Sequence, residues 1–107
     1  MKRSVLRWSP EAYEDLFQII DFLKQDKSEA ARKLASEILT KVSRLRRIPH
    51  MGPIAPELLE QGVSMYRQII VGNYRVIYQA EPHVITVHLV IDSRRNLADV
   101  LIQRLLR

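Results

Sequence analysis

A chain of 107 residues, 47% hydrophobic and 27% charged, has room for one compact core and not for two. It contains no cysteine, which excludes a disulfide framework, thiolate metal sites and a cysteine nucleophile and suits a reducing, cytoplasmic setting. No apolar run approaches the roughly 18 residues of a membrane span, and the first residues carry no stretch fit for a signal peptide.

Seventeen basic against twelve acidic side chains leave a formal charge of +5, compatible with nucleic acid, a ribosome or an acidic protein as partner. The charge is unevenly placed. Residues 11–30 hold six acids against two lysines, whereas Lys41, Arg44, Arg46 and Arg47 face no acid within residues 41–50. Further cations lie toward both ends and on the later segments, from Lys2, Arg3 and Arg7 to Arg104 and Arg107.

Taken in chain order, Ser4 to Trp8 is β-rich and stops at Ser9-Pro10, where serine caps a helix and proline takes its first position. The first helix is expected over about residues 10–25, with Tyr13, Leu16, Phe17, Ile20 and Leu23 as its apolar stripe. A polar break with a second serine cap, Ser28, leads to a second helix running to about residue 47. Its apolar positions include Ala31, Leu34, Ile38, Val42 and Leu45, and the short connection folds the two helices into an antiparallel hairpin. Pro49 and Pro53 flank a loop, after which the period changes from 3.6 to 2. Strands are expected over about residues 64–71, 74–80 and 84–91, joined by Gly72-Asn73 and by Glu81-Pro82-His83. In the last of them the odd-numbered positions are all apolar, marking one buried face. Leu97, Val100, Leu101 and Leu105 have the spacing of a short terminal helix.

This order makes a single α+β domain over residues 1–107. It has an N-terminal strand, an antiparallel helix hairpin, a three-stranded antiparallel meander and a short C-terminal helix. The hairpin is expected to cover one face of a mostly antiparallel sheet, a two-layer sandwich. His50, His83 and His88 lack metal-binding spacing, so no metal site is expected; His88 alone has the character of a possible acid or base. Tyr74 and Tyr78 share parity with Val76 and Ala80, which places them in the core rather than on a base-stacking platform with Tyr66. The run from Lys41 to Arg47 reads as a solvated helix end or as a nucleic-acid contact.

Several short motifs stand in a fixed order: Trp8-Ser9-Pro10-Glu11-Ala12, Ile48-Pro49-His50-Met51-Gly52, Tyr66-Arg67, the hairpin from Val71 to Tyr78, and Ser93-Arg94-Arg95-Asn96 after the last strand. In this the chain resembles, over nearly its whole length, the RelE/ParE superfamily of bacterial toxins, the toxic halves of type II toxin–antitoxin modules. The superfamily divides into RelE-like members, which cleave mRNA in the ribosomal A site, and ParE-like members, described as inhibitors of DNA gyrase.

A ribonuclease of this kind needs cations at the phosphate and a group that moves a proton. The resemblance would assign the first role to Arg75 and Arg94. The family's C-terminal tyrosine falls near Val100, no Tyr or His lies between Asp92 and Arg107, and residues 48–74 contain no lysine. These departures favour the ParE-like branch, a toxin acting on gyrase, with Arg67, Arg75, Arg94, Arg95 and the terminal helix as target-binding surface. A ribosome-dependent mRNA endonuclease and a non-toxic relic that only binds antitoxin are the alternatives. The resemblance further implies a cognate antitoxin with an acidic or amphipathic segment and operator DNA reached only through that antitoxin. It implies no cofactor and no membrane. Leu16, Phe17, Leu101 and Leu105 are candidate apolar anchors for the antitoxin.

Overall fold

The computed structural model describes residues 4–105, and the side chain of Leu105 is not among the described groups; Lys2, Arg3 and Arg107 lie outside them. Strand β1 (Val5–Trp8) runs into helix α1 (Pro10–Lys24) through the expected start signal: the Ala12 amide donates to Ser9 Oγ at 3.1 Å, and Pro10 occupies the first turn. The buried stripe of α1 is rotated from the expected one. Ala12, Leu16, Ile19 and Ile20 pack inward, while Tyr13 lies outside against the Trp8 ring, 5.3 Å between centroids, and Phe17 is 70% exposed. The small Ala12 side chain lets α1 approach the sheet on that side.

Helix α2 (Ser28–Arg44) follows as the antiparallel partner, burying Ala31, Ile38 and Val42. Ser28 is its first helical residue rather than its cap, a role that Lys27 fills without a side-chain hydrogen bond. The helix ends at Arg44, short of the expected residue 47, because the chain tightens: Leu45, Arg46 and Arg47 donate to the carbonyls three residues back. The Arg46 carbonyl then accepts the Ser4 amide at 3.1 Å and ties this turn to the start of β1.

The segment after α2 holds a short helix, α3 (Pro56–Leu59), that the sequence reading left as loop. It is anchored by Tyr78, which is wholly buried, donates its hydroxyl to the Pro49 carbonyl at 2.9 Å and accepts the Gly52 amide at 3.0 Å. Tyr78→Phe strands both groups and is expected to cost about 1–3 kcal/mol in a urea or thermal melt; a loss well below that would mean water replaces the hydroxyl.

Strands β2 (Arg67–Val71), β3 (Tyr74–Glu81) and β4 (Val84–Asp92) form the antiparallel meander, and β1 joins it beside β4. The order β1-β4-β3-β2 is mixed, since β1 runs parallel to β4 from Val5 opposite Val84 to Trp8 opposite Val87. A parallel edge strand is what a helical crossover produces, with α1, α2 and the hairpin lying between β1 and β4. The last element is helix α4 (Leu97–Leu105).

The apolar face of β4 is not the single odd-numbered one expected. Leu89 pairs with Ile77 but Val87 pairs with Tyr78, so His88 is an extra residue in the ladder, a β-bulge. On one side Ile85, Val87 and Val90 join the core under α1 and α2; on the other, Leu89 and Ile91 pack with Ile77, Leu58, Leu97 and Val100 in a second core under α3 and α4. The expected two layers thus become a sheet covered on both faces, with helix α4 closing the second.

Candidate functional site

The Asp92-Ser93-Arg94-Arg95 exit from β4 carries the most exposed of the candidate cations. Arg94 wraps back on Asp92: its amide, Nε and Nη2 donate to the carboxylate at 2.8, 3.0 and 2.9 Å. The Arg94 side-chain bonds and then its amide hold the Asp92 carboxyl down at about 2, and the same pair raises Arg94 above its ordinary value. The pair remains in solvent, with the Arg94 side chain 86% exposed. Beside it Arg95 is exposed and makes no ion pair among the described residues. Both line a concavity of about 280 Å³ whose apolar wall is Ile19, Phe22 and Tyr74, and Phe22 is 72% exposed.

The structure does not bring the other two arginines to this surface. Arg75 is only 7% exposed; its Nε donates to Gln68 Oε1 at 2.9 Å, and Nη1 and Nη2 grip the Glu57 carboxylate at 2.8 and 2.6 Å. That grip holds the Glu57 carboxyl below the ordinary glutamate value, against a smaller opposing effect of burial. Arg67 pairs with Tyr78 across the hairpin and so points to the opposite sheet face, where its Nη1 donates to the Gly52 carbonyl at 2.8 Å. Two of the four expected arginines therefore brace the fold.

One pair escaped the sequence reading, Asp15 with Arg104. Past Trp8 the outer edge of β4 has no strand beside it among the described residues, and side chains take over its backbone groups: Asp15 accepts the Val90 amide at 3.0 Å, and Arg104 donates to the His88 carbonyl at 3.1 Å while pairing with the other Asp15 oxygen. Burial pushes the Asp15 carboxyl up despite the Arg104 and Val90 bonds. In the sequence Asp15 reads as an N-terminal acid favoured by the helix dipole; its place among the inward positions 12, 16 and 19 was the available signal.

His88, which the sequence marks as a possible acid or base, is partly buried. Its Nε2 lies 3.1 Å from Gln79 Oε1 and its ring meets the Tyr66 ring edge-on at 5.6 Å, beside a cavity of about 140 Å³ that Ser9, Glu11 and Arg104 also line. Burial lowers its pKa from the ordinary histidine value. Tyr74 and Tyr78 face the α1–α2 core as expected, and Tyr66 packs against the second core. Among the described residues no three His, Asp or Glu side chains gather as a metal would require, and no helix is long and apolar enough to cross a membrane.

The chain is thus a four-stranded mixed sheet with a helix hairpin on one face and a short C-terminal helix on the other. The chain belongs to the family described as "ParE toxin of type II toxin-antitoxin system, parDE", whose profile matches residues 6–97. Among solved structures it is similar to one titled "Chromosomal ParDE TA system from P. aeruginosa". The TM-score is 0.68 at 19% identity, over 84% of this chain and 96% of that one. No curated protein matches the sequence significantly.

Proposed function

We propose that this ParE-family toxin acts in the cytoplasm by binding and stalling DNA gyrase through the surface around Arg94 and Arg95, and that a cognate antitoxin neutralises it by covering that surface. The observation that carries this reading is the Phe22, Tyr74, Arg94 and Arg95 patch, in which arginines rim the exposed Phe22 ring and the partly buried Tyr74 ring as they do at protein contact hot spots. Arg75 supports it from the other side, since its Nε, Nη1 and Nη2 are all engaged with Gln68 and Glu57, leaving it poorly placed for a scissile phosphate. Of the apolar anchors expected for the antitoxin, Leu16 and Leu101 are buried at 9% exposure, Phe17 is the one at the surface among the described side chains, and the Leu105 side chain lies outside them. Reading of operator sequence belongs in this scheme to the antitoxin.

Pulse labelling after controlled expression without antitoxin tests the proposal. Thymidine incorporation is expected to fall before methionine incorporation, and Arg94→Ala with Arg95→Ala is expected to weaken the effect about tenfold or more. Methionine incorporation falling first would replace gyrase by the ribosome and mRNA. That second reading is favoured by one observation, His88 lining a cavity with Tyr66 and Arg104, and it would place proton transfer at His88 with Arg94 the remaining exposed cation of the expected pair.

A further inference from the structure

The cationic run at the end of α2 takes no part in the surface just described. Arg44, Arg46 and Arg47 are exposed, none donates to a carboxylate among the described residues, and the sequence holds no acid between Glu37 and Glu57. Lys41 is differently placed, donating to the Ile70 carbonyl at 3.2 Å.

The tightened turn after α2 sets the geometry. In a turn with three residues per revolution, side chains three apart eclipse, which puts Arg44 and Arg47 on the same side. With Arg46, Thr40 and Ser43 they line a concavity of about 290 Å³. The helix dipole favours Arg44 in the last turn, but Arg46 and Arg47 lie beyond its last residue and repel their neighbours without an ion pair among the described residues. A row of fixed anions would remove that repulsion.

The kind of anion follows from what the segment lacks. There is no Phe, Trp or Tyr between Phe22 and Tyr66 and none lines the concavity, so the unstacked bases of a single strand find no aromatic face there among the described residues. A duplex needs none, because its outer surface offers evenly spaced phosphates.

We infer that Arg44, Arg46 and Arg47 form a sequence-independent contact with the phosphate backbone of double-stranded DNA. The contact is independent of the gyrase proposal and adds affinity without reading bases. It departs from the expectation that DNA is reached only through the antitoxin.

Anisotropy of a labelled duplex of about 24 base pairs and arbitrary sequence, titrated with the full chain between about 50 and about 200 mM salt, tests it. Each phosphate contact contributes about 0.9 to the slope of log K against log salt, so Arg44→Gln, Arg46→Gln and Arg47→Gln together are expected to flatten the slope by about 2.7. Across that salt range this is a difference of about 40-fold in how much affinity is lost. Lys24→Gln, Lys27→Gln and Lys33→Gln remove the same charge from exposed positions elsewhere and are expected to keep the slope within about 1 of the unaltered chain. Three results would each overturn the inference: no duplex binding at the lowest salt, equal flattening by both triple variants, or single-stranded RNA of the same length bound as tightly as the duplex.

Discussion

Replacing Glu57 with alanine is expected to lower the unfolding free energy by about 3 kcal/mol and the melting temperature by roughly 15 °C. Arg75 sits 7% exposed between Glu57 and Gln68, and a guanidinium keeps its charge when its partner goes. Gln68 alone then faces a buried cation, and breaking a buried pair from one side costs about 3–5 kcal/mol. The lower end applies because the Glu57 side chain is 41% exposed, so water can reach the vacated position. Arg75→Met combined with Glu57→Leu removes both charges and is expected to recover most of the loss. A Glu57→Ala chain melting within a few degrees of the unaltered one would show that Arg75 is hydrated and that the pair is ornamental.

The same pair sets a pH dependence with a definite sign. Because Arg75 lowers the folded-state pKa of Glu57, the contribution is present above the ordinary glutamate value and is lost as pH falls through the lower folded value. Acid melts of the unaltered chain and of Glu57→Gln should converge at low pH.

Gly52→Ala is the second large effect, expected near 3 kcal/mol. A Cβ at position 52 would overlap the Gln68 carbonyl group and come within 3.0 Å of Tyr78 Oη. Neither obstacle is a flexible side chain end: Gln68 donates its amide to Pro53 at 2.9 Å, and Tyr78 is held by Pro49. The substitution must therefore push the loop off β2 and disturb the Arg67 bond to the Gly52 carbonyl as well. Gly72→Ala supplies the comparison: nothing lies within 4 Å of its Cβ, and only its φ of +58° is strained, for about 1 kcal/mol. Urea melts of the two variants giving equal losses would show that space at Gly52 is not the limiting factor.

What was legible in the sequence was local. Ser9-Pro10 announces α1, Gly72-Asn73 the hairpin, and the parity of Tyr74, Val76 and Tyr78 their shared face, because each signal is written in neighbouring residues. The placement of β1 beside β4 joins residues about 80 apart and leaves no local mark. The bulge at His88 is hidden for a related reason: a strand buried on both faces is apolar at consecutive positions, so Leu89, Val90 and Ile91 show no change of phase when the ladder slips. For the site, the exit carrying Arg94 and Arg95 was visible as a polar loop after an apolar strand. The fate of Arg75 was not, since its partner Glu57 comes from α3, a helix of four residues too short to leave a periodic pattern.

The clamp of Asp15 and Arg104 on the free edge of β4 bears on how copies of the chain stay apart. Its two members stand 89 positions apart, and Arg104 belongs to the last described turn. The strands of the hairpin pair between neighbours in sequence, but the amide of Val90 and the carbonyl of His88 are not both sealed until Asp15 and Arg104 have docked. An unsealed strand edge is a template for another chain. A chain in which α4 has not docked is therefore the form most open to edge pairing with another copy.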